Sequence, residues 1–184
     1  MIVILKTSVV VFVIVVGALF INLDNLSPFI PDERMIIQSD GKLGPAYGFN
    51  GIIAGAAAVF FAYIGFDAVS TQAGEAINPK KDVPFAIIAS LLICTLLYIL
   101  VSLVLTGMMH YSDFNPLGKY PDAIKAPVAY AFDIAGQAWA GYIITIAATV
   151  GLISVLMVMI MGQSRIFLGM SKDGLIPKTF SKVN

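Results

Sequence analysis

From Pro84 to Met109 the chain runs for 26 residues without one charged side chain. A helix of that length covers about 39 Å at 1.5 Å per residue, more than the hydrocarbon core of roughly 30 Å that a membrane span must cross. This block constrains the fold more than any other feature, and it has neighbours of the same kind. Four apolar blocks run over 1–21, 50–78, 84–109 and 127–162. With 59% hydrophobic and 12% charged residues, the chain departs from the roughly 25% charge of soluble domains. The pattern predicts an all-α integral membrane protein with four transmembrane helices in a single membrane domain. Loops at 22–49 and 110–126 then lie on one side, with a turn at 79–83 and a tail at 163–184 on the other.

The first block resembles a secretory signal only superficially. Apolar residues precede its one charge, Lys6, and Asn-Leu-Asp-Asn follows Ile21 where a small-residue cleavage site would be needed. Thr7 to Ile21 is 15 residues, about 22 Å of helix, which is too short to span alone. Residues 1–6 therefore belong to the span, and the natural protein is expected to start earlier. Orientation follows from lysine and arginine. Lys6, Lys80, Lys81, Arg165, Lys172, Lys178 and Lys182 fall on one side, against Arg34, Lys42, Lys119 and Lys125 on the other. Both ends of the chain are thus expected on the cytoplasmic face of a cell membrane.

Several function classes are excluded by residue type. Eleven Lys and Arg against eleven Asp and Glu give no net charge, so no nucleic-acid partner is expected. A single cysteine, Cys94, and a single histidine, His110, leave no disulfide framework or His/Cys metal cluster. No nucleophile, base and orienting group recur at catalytic spacing, so neither an enzyme nor a cofactor is expected. Trp139, Tyr142 and Tyr111 fit an aromatic belt at the outer interface.

Two positions inside the spans invite a functional reading. Gly65 sits among aromatics in Val59-Phe60-Phe61-Ala62-Tyr63-Ile64-Gly65-Phe66-Asp67. A glycine at membrane mid-depth marks either a helix break that exposes backbone to a substrate or, with Gly51, Gly55, Ala56, Ala57 and Ala58, close helix packing. Pattern alone puts packing first. Lys6 either snorkels to the nearby interface or faces the bundle interior as a proton carrier. Here, too, the residues alone put the simpler reading, snorkelling, first.

The stretch FFAYIGFDAVSTQAGEAINP at Phe60 to Pro79 resembles bacterial amino-acid permeases of the APC superfamily, in the branch similar to cationic amino acid transporters. Lys80-Lys81-Asp82-Val83-Pro84, Gly162-Gln163-Ser164-Arg165 and Met170 to Pro177 extend the likeness over nearly the whole chain. The resemblance implies helices five to eight of about twelve, within a fold of two inverted five-helix repeats whose second span here is broken near Ile64-Gly65. It implies a secondary active transporter of amino acids, coupled to protons, that needs the missing helices of the same permease and the lipid bilayer around it. Phe61 becomes an aromatic gate, Ala62, Tyr63, Ile64 and Gly65 the unwound stretch receiving the substrate ammonium, and Ile64 a wall of the side-chain pocket. Lys6 matches a lysine standing in for a sodium ion in proton-coupled members, which raises coupling above snorkelling. The chain departs from the family pattern at Gly74-Glu75, where relatives carry two acidic residues, and in an outer insert at about Asp32 to Ala46. The rival from another class is a self-standing four-helix assembly or regulatory protein that transports nothing.

Overall fold

The computed structural model describes residues 2–37, 43–45, 47–60, 65, 76–114, 120, 123, 125–177 and 179. Among these, five α-helices carry the fold: α1 (Ile2–Ala18), α2 (Gly48–Phe60), α3 (Pro79–Met108), α4 (Pro127–Ile134) and α5 (Ala138–Lys172). The loop between α1 and α2 holds two antiparallel three-residue strands, β1 (Met35–Ile37) and β2 (Leu43–Pro45), with Met35 opposite Pro45 and Ile37 opposite Leu43. This hairpin lies inside the expected outer insert, and its short strands do not announce themselves in an otherwise helical sequence.

Helices α3 and α5 are 30 and 35 residues long, about 45 and 52 Å. Their most apolar 18-residue stretches have mean hydropathies of 2.8 and 2.6, yet only 6% of each stretch is buried. A core helix of a soluble protein would hide such a surface. Serine and threonine within these helices donate to carbonyls one turn back, as in Ser90 Oγ to Ala86 O at 2.6 Å and Thr149 Oγ1 to Thr145 O at 2.9 Å. Their hydroxyls are thereby satisfied without water.

The buried core lies at one end of the molecule, here termed the loop end, where α1 and α3 finish and α4 and α5 begin. Phe132 of α4 is fully buried there beside Val13, Ala140 and Ile144. A second cluster joins Met109, Ala123 and Ala131. Helices α1 and α3 run parallel and touch through glycine. A Cβ on Gly17 would collide with Val104 Cγ1 and come within 3.1 Å of Met108 Sδ, and one on Gly107 would lie 2.8 Å from Ile21 Cγ2. The carbonyl of Gly107, near the last turn of α3, accepts from Asn22 N and from Asn25 Nδ2, both at 2.9 Å, which ties the loop to the helix end. The branched Val104 has little rotamer freedom to retreat. Gly17→Leu in the full-length protein is therefore expected to remove about 1–3 kcal/mol of stability by overpacking. A thermal midpoint in detergent equal to wild type would contradict this close approach.

Three boundaries differ from the sequence expectation. Residues 79–83, expected as a turn, form the first helical turn of α3. Pro79 stands at the first helical position, where its fixed φ suits a helix start, and the Asp82 carboxylate accepts from Asn78 N at 3.3 Å. The block at 127–162 is two helices rather than one span with a lead-in. Gly136 at φ 75° ends α4, with Gln137 N donating to Phe132 O at 2.8 Å and Gly136 N to Asp133 O at 3.0 Å, a Schellman close. The tail expected from 163 is helical as far as Lys172. It ends in a second such close at Gly174, φ 79°, with Leu175 N donating to Met170 O at 2.9 Å. Hydropathy marks where charge begins, whereas the helical hydrogen bonding of α4 and α5 continues until Gly136 and Gly174 take a positive φ.

Candidate functional site

Helix α2 is held at its start by the loop before it. Gly48 has φ 68°, and a Cβ there would lie 2.9 Å from Glu33 Cβ, so the loop backbone passes directly over the helix entry. Asn50 Nδ2 donates to the Glu33 carboxylate at 3.0 and 3.2 Å, and Tyr47 meets Tyr111 edge-on with ring centroids 5.3 Å apart. From this anchored end α2 is described over 13 residues, as far as Phe60, about 20 Å from its start. Gly65 follows with φ 135°. That value lies well beyond the left-handed well of about +50 to +70° that asparagine occasionally shares. A Cβ on Gly65 would meet nothing within 4 Å among the described residues, so its constraint is conformational rather than steric. Gly55 likewise faces open space, and the tight helix contacts fall at Gly17, Gly107 and Gly141. Phe61, Ala62, Tyr63 and Ile64 lie outside the described residues, between Phe60 and the turn at Gly65.

Lys6 lies on α1 one turn from Val9 and Val10, on the face that also carries Val13, as spacings of three, four and seven residues dictate. This face lines a cavity of about 650 Å³ shared with Tyr98 and Val101 of α3, Val128 of α4, and Ile144, Ala147, Ala148 and Gly151 of α5. Apart from Lys6, Tyr98 is the only one of the described lining residues with a polar side chain. Helices α1 and α5 are antiparallel here. Val13 packs in one cluster with Ile144, and seven residues along each helix the Lys6 stem passes Gly151 with Cε 3.7 Å from a Cβ built there. Gly65 does not line this cavity, so the two sequence-predicted elements stand as separate features among the described residues. Sequence reasoning missed Gly151. Its signal was the run Ala147-Ala148-Thr149-Val150-Gly151, whose first, second and fifth residues share one helical face.

All 184 residues match the family model described as amino acid permease. The chain belongs to the amino acid permease family. It is 42% identical over 182 residues to the branched-chain amino acid permease BcaP of Bacillus subtilis (strain 168), covering 99% of this chain and 34% of that protein. It is 40% identical over 183 residues to the methylthioribose transporter of the same organism, covering 100% of this chain and 35% of the relative. Cationic amino acid transporter 9, chloroplastic, of Arabidopsis thaliana is 40% identical over 179 residues, 97% of this chain and 27% of its own length. The chain thus spans about a third of the length of the bacterial relatives it matches. These relatives are named as transporters and permeases, not enzymes. With such relatives, the long apolar helices α3 and α5 are those of a membrane protein.

Proposed function

We propose that the chain is part of a secondary active transporter that carries amino acids across the cell membrane by alternating access. In this reading α1 is the fifth helix, α2 continues through the break into the rest of the sixth, and α3 and α5 are the seventh and eighth. Four spans then hold the last helix of one inverted repeat and the first three of the next. Lys80 and Lys81 at the start of α3 and Lys172 at the end of α5 share one end of the molecule. The charge bias of membrane loops makes that end cytoplasmic, with both ends of this chain on the same side.

One observation carries the reading: the backbone turns at Gly65 with φ 135°, a value outside the helical region, in the chain that follows α2 (Gly48–Phe60). In this reading the helix ends between Phe60 and Gly65, and a helix C-terminus carries partial negative charge, the sign that suits an ammonium group. Broken helices in membranes line cavities rather than lipid. The carbonyls of Ala62, Tyr63, Ile64 and Gly65 would then receive the substrate ammonium, with Phe61 as the gate above and Ile64 shaping the side-chain pocket. Names among the relatives include branched-chain and cationic amino acids, which makes these the first substrates to test.

Lys6 is assigned the proton. The antiparallel register puts it level with Gly151, and the next charged residue along α5 toward the basic end is Arg165, 14 residues on, or about 21 Å. A lysine stem reaches roughly 6 Å, well short of that level. The test is uptake of labelled leucine and arginine by the full-length protein in proteoliposomes across an imposed pH gradient. Saturable, gradient-driven uptake is expected, and its absence for every amino acid tried would reject the reading. In the same assay Phe61→Ala should raise KM by about two- to tenfold, the worth of an aromatic contact. An unchanged KM and rate would remove the gate role.

A further inference from the structure

Three successive carbons of Lys6 lie beside one residue of α5. A Cβ built on Gly151 would sit 3.7 Å from Lys6 Cε, 3.9 Å from Cδ and 4.0 Å from Cγ. The stem therefore runs across α5 at this level instead of ending against it. Glycine in a helix interior costs about 1 kcal/mol relative to alanine, and Gly151 lies well inside the 35 residues of α5. The gap it leaves faces Lys6. An alanine methyl fits at ordinary contact distance, whereas the γ carbons of a branched side chain need the volume that the lysine stem occupies.

We propose that Gly151 is a positioning residue for Lys6: its missing side chain is the berth in which the lysine stem lies, and it fixes where in the apolar cavity the ammonium is presented. This rests on the reading of Lys6 as the proton carrier. Among the described residues lining the cavity, Tyr98 on α3 and Lys6 alone carry titratable groups, while α4 and α5 contribute apolar residues. A displaced stem has no alternative charge to pair with among them, so displacement acts directly on the protonation step.

The experiment compares G151A, G151V, G151L, K6M and the double variant K6M/G151L in the full-length protein, reconstituted at matched amounts. It reads pH-gradient-driven accumulation of labelled amino acid and, separately, KM for exchange without a gradient. G151L is expected to lose accumulation by roughly tenfold or more, as a displaced group does, with the exchange KM within about twofold of wild type. The conservative G151A should keep the wild-type pH profile. K6M/G151L should be no worse than K6M, because two changes acting through one group do not add. If G151L does not reach the membrane, G151V carries the same comparison with a smaller intrusion. Wild-type accumulation in G151L beside a defective K6M would overturn the positioning role and leave the proton reading standing, as would losses that multiply in the double variant. Wild-type accumulation in K6M would overturn both.

Discussion

Full-length protein carrying Gly65→Leu, present in the membrane at the wild-type level, is expected to lose amino-acid uptake by about one to two orders of magnitude. The cause is the backbone. At φ 135° a side chain bearing a Cβ is strained by about 1–3 kcal/mol, and each 1.4 kcal/mol is a tenfold shift in population. In the proposed reading the break would re-form as another conformation, and the carbonyls assigned to the ammonium would turn elsewhere. Because a Cβ at this position meets no described atom within 4 Å, Gly65→Ala should also be defective, although it adds almost no volume. Asparagine should rescue no better than alanine, since its tolerance is confined to the left-handed well near +57°. Uptake kinetics of the three variants at matched expression are the measurement. Normal uptake in Gly65→Ala would show that the position needs small size or nothing at all, and would end the case for a broken, substrate-binding second span.

Much of this architecture could be read from apolar run length, because a bilayer imposes one length on every span. The charge-free run through Leu91 and Leu96 of α3 was unmistakable on that ground. Boundaries were less legible. Pro79 and Asp82 look like turn residues, and the hydrogen bonds at Asn78, from its N–H to the Asp82 carboxylate and from Asp82 N to its carbonyl at 2.8 Å, identify them as a helix start. Gly136 is one glycine among many in the sequence, yet its φ of 75° divides a long apolar block into α4 and α5. At the site, Gly65 and Lys6 stood out because a glycine among aromatics and a charge in an apolar run are each costly unless used. Gly151 did not stand out. Its importance comes from the register of two helices whose contacting residues are 145 positions apart in sequence, and nothing local encodes that register. The small residues pointed to close packing, and among the described residues the close approaches fall at Gly17, Gly107 and Gly141, while Gly55 meets none of the described atoms within 4 Å.

Lys6→Met should abolish proton-driven accumulation while leaving exchange of bound amino acid largely intact. Methionine keeps an unbranched side chain of similar volume and removes only the ammonium, so the Gly151 berth stays filled. A gradient of one pH unit carries about 1.4 kcal/mol per proton, enough to sustain roughly tenfold accumulation at one proton per substrate. In the variant that accumulation ratio should fall to about one, and uptake should lose its dependence on external pH. Snorkelling predicts the opposite outcome. A lysine whose ammonium already rests in the interface is dispensable, and an apolar residue in its place would stabilise the span. The register between α1 and α5 is the ground on which the coupling reading is proposed. At the level of Gly151, Lys6 lies among Val9, Val13, Ala147 and Ala148, with Arg165 about 21 Å further along the helix. Accumulation driven by the pH gradient, measured for wild type and Lys6→Met at equal protein, decides between them, and undiminished accumulation in the variant would refute the coupling role.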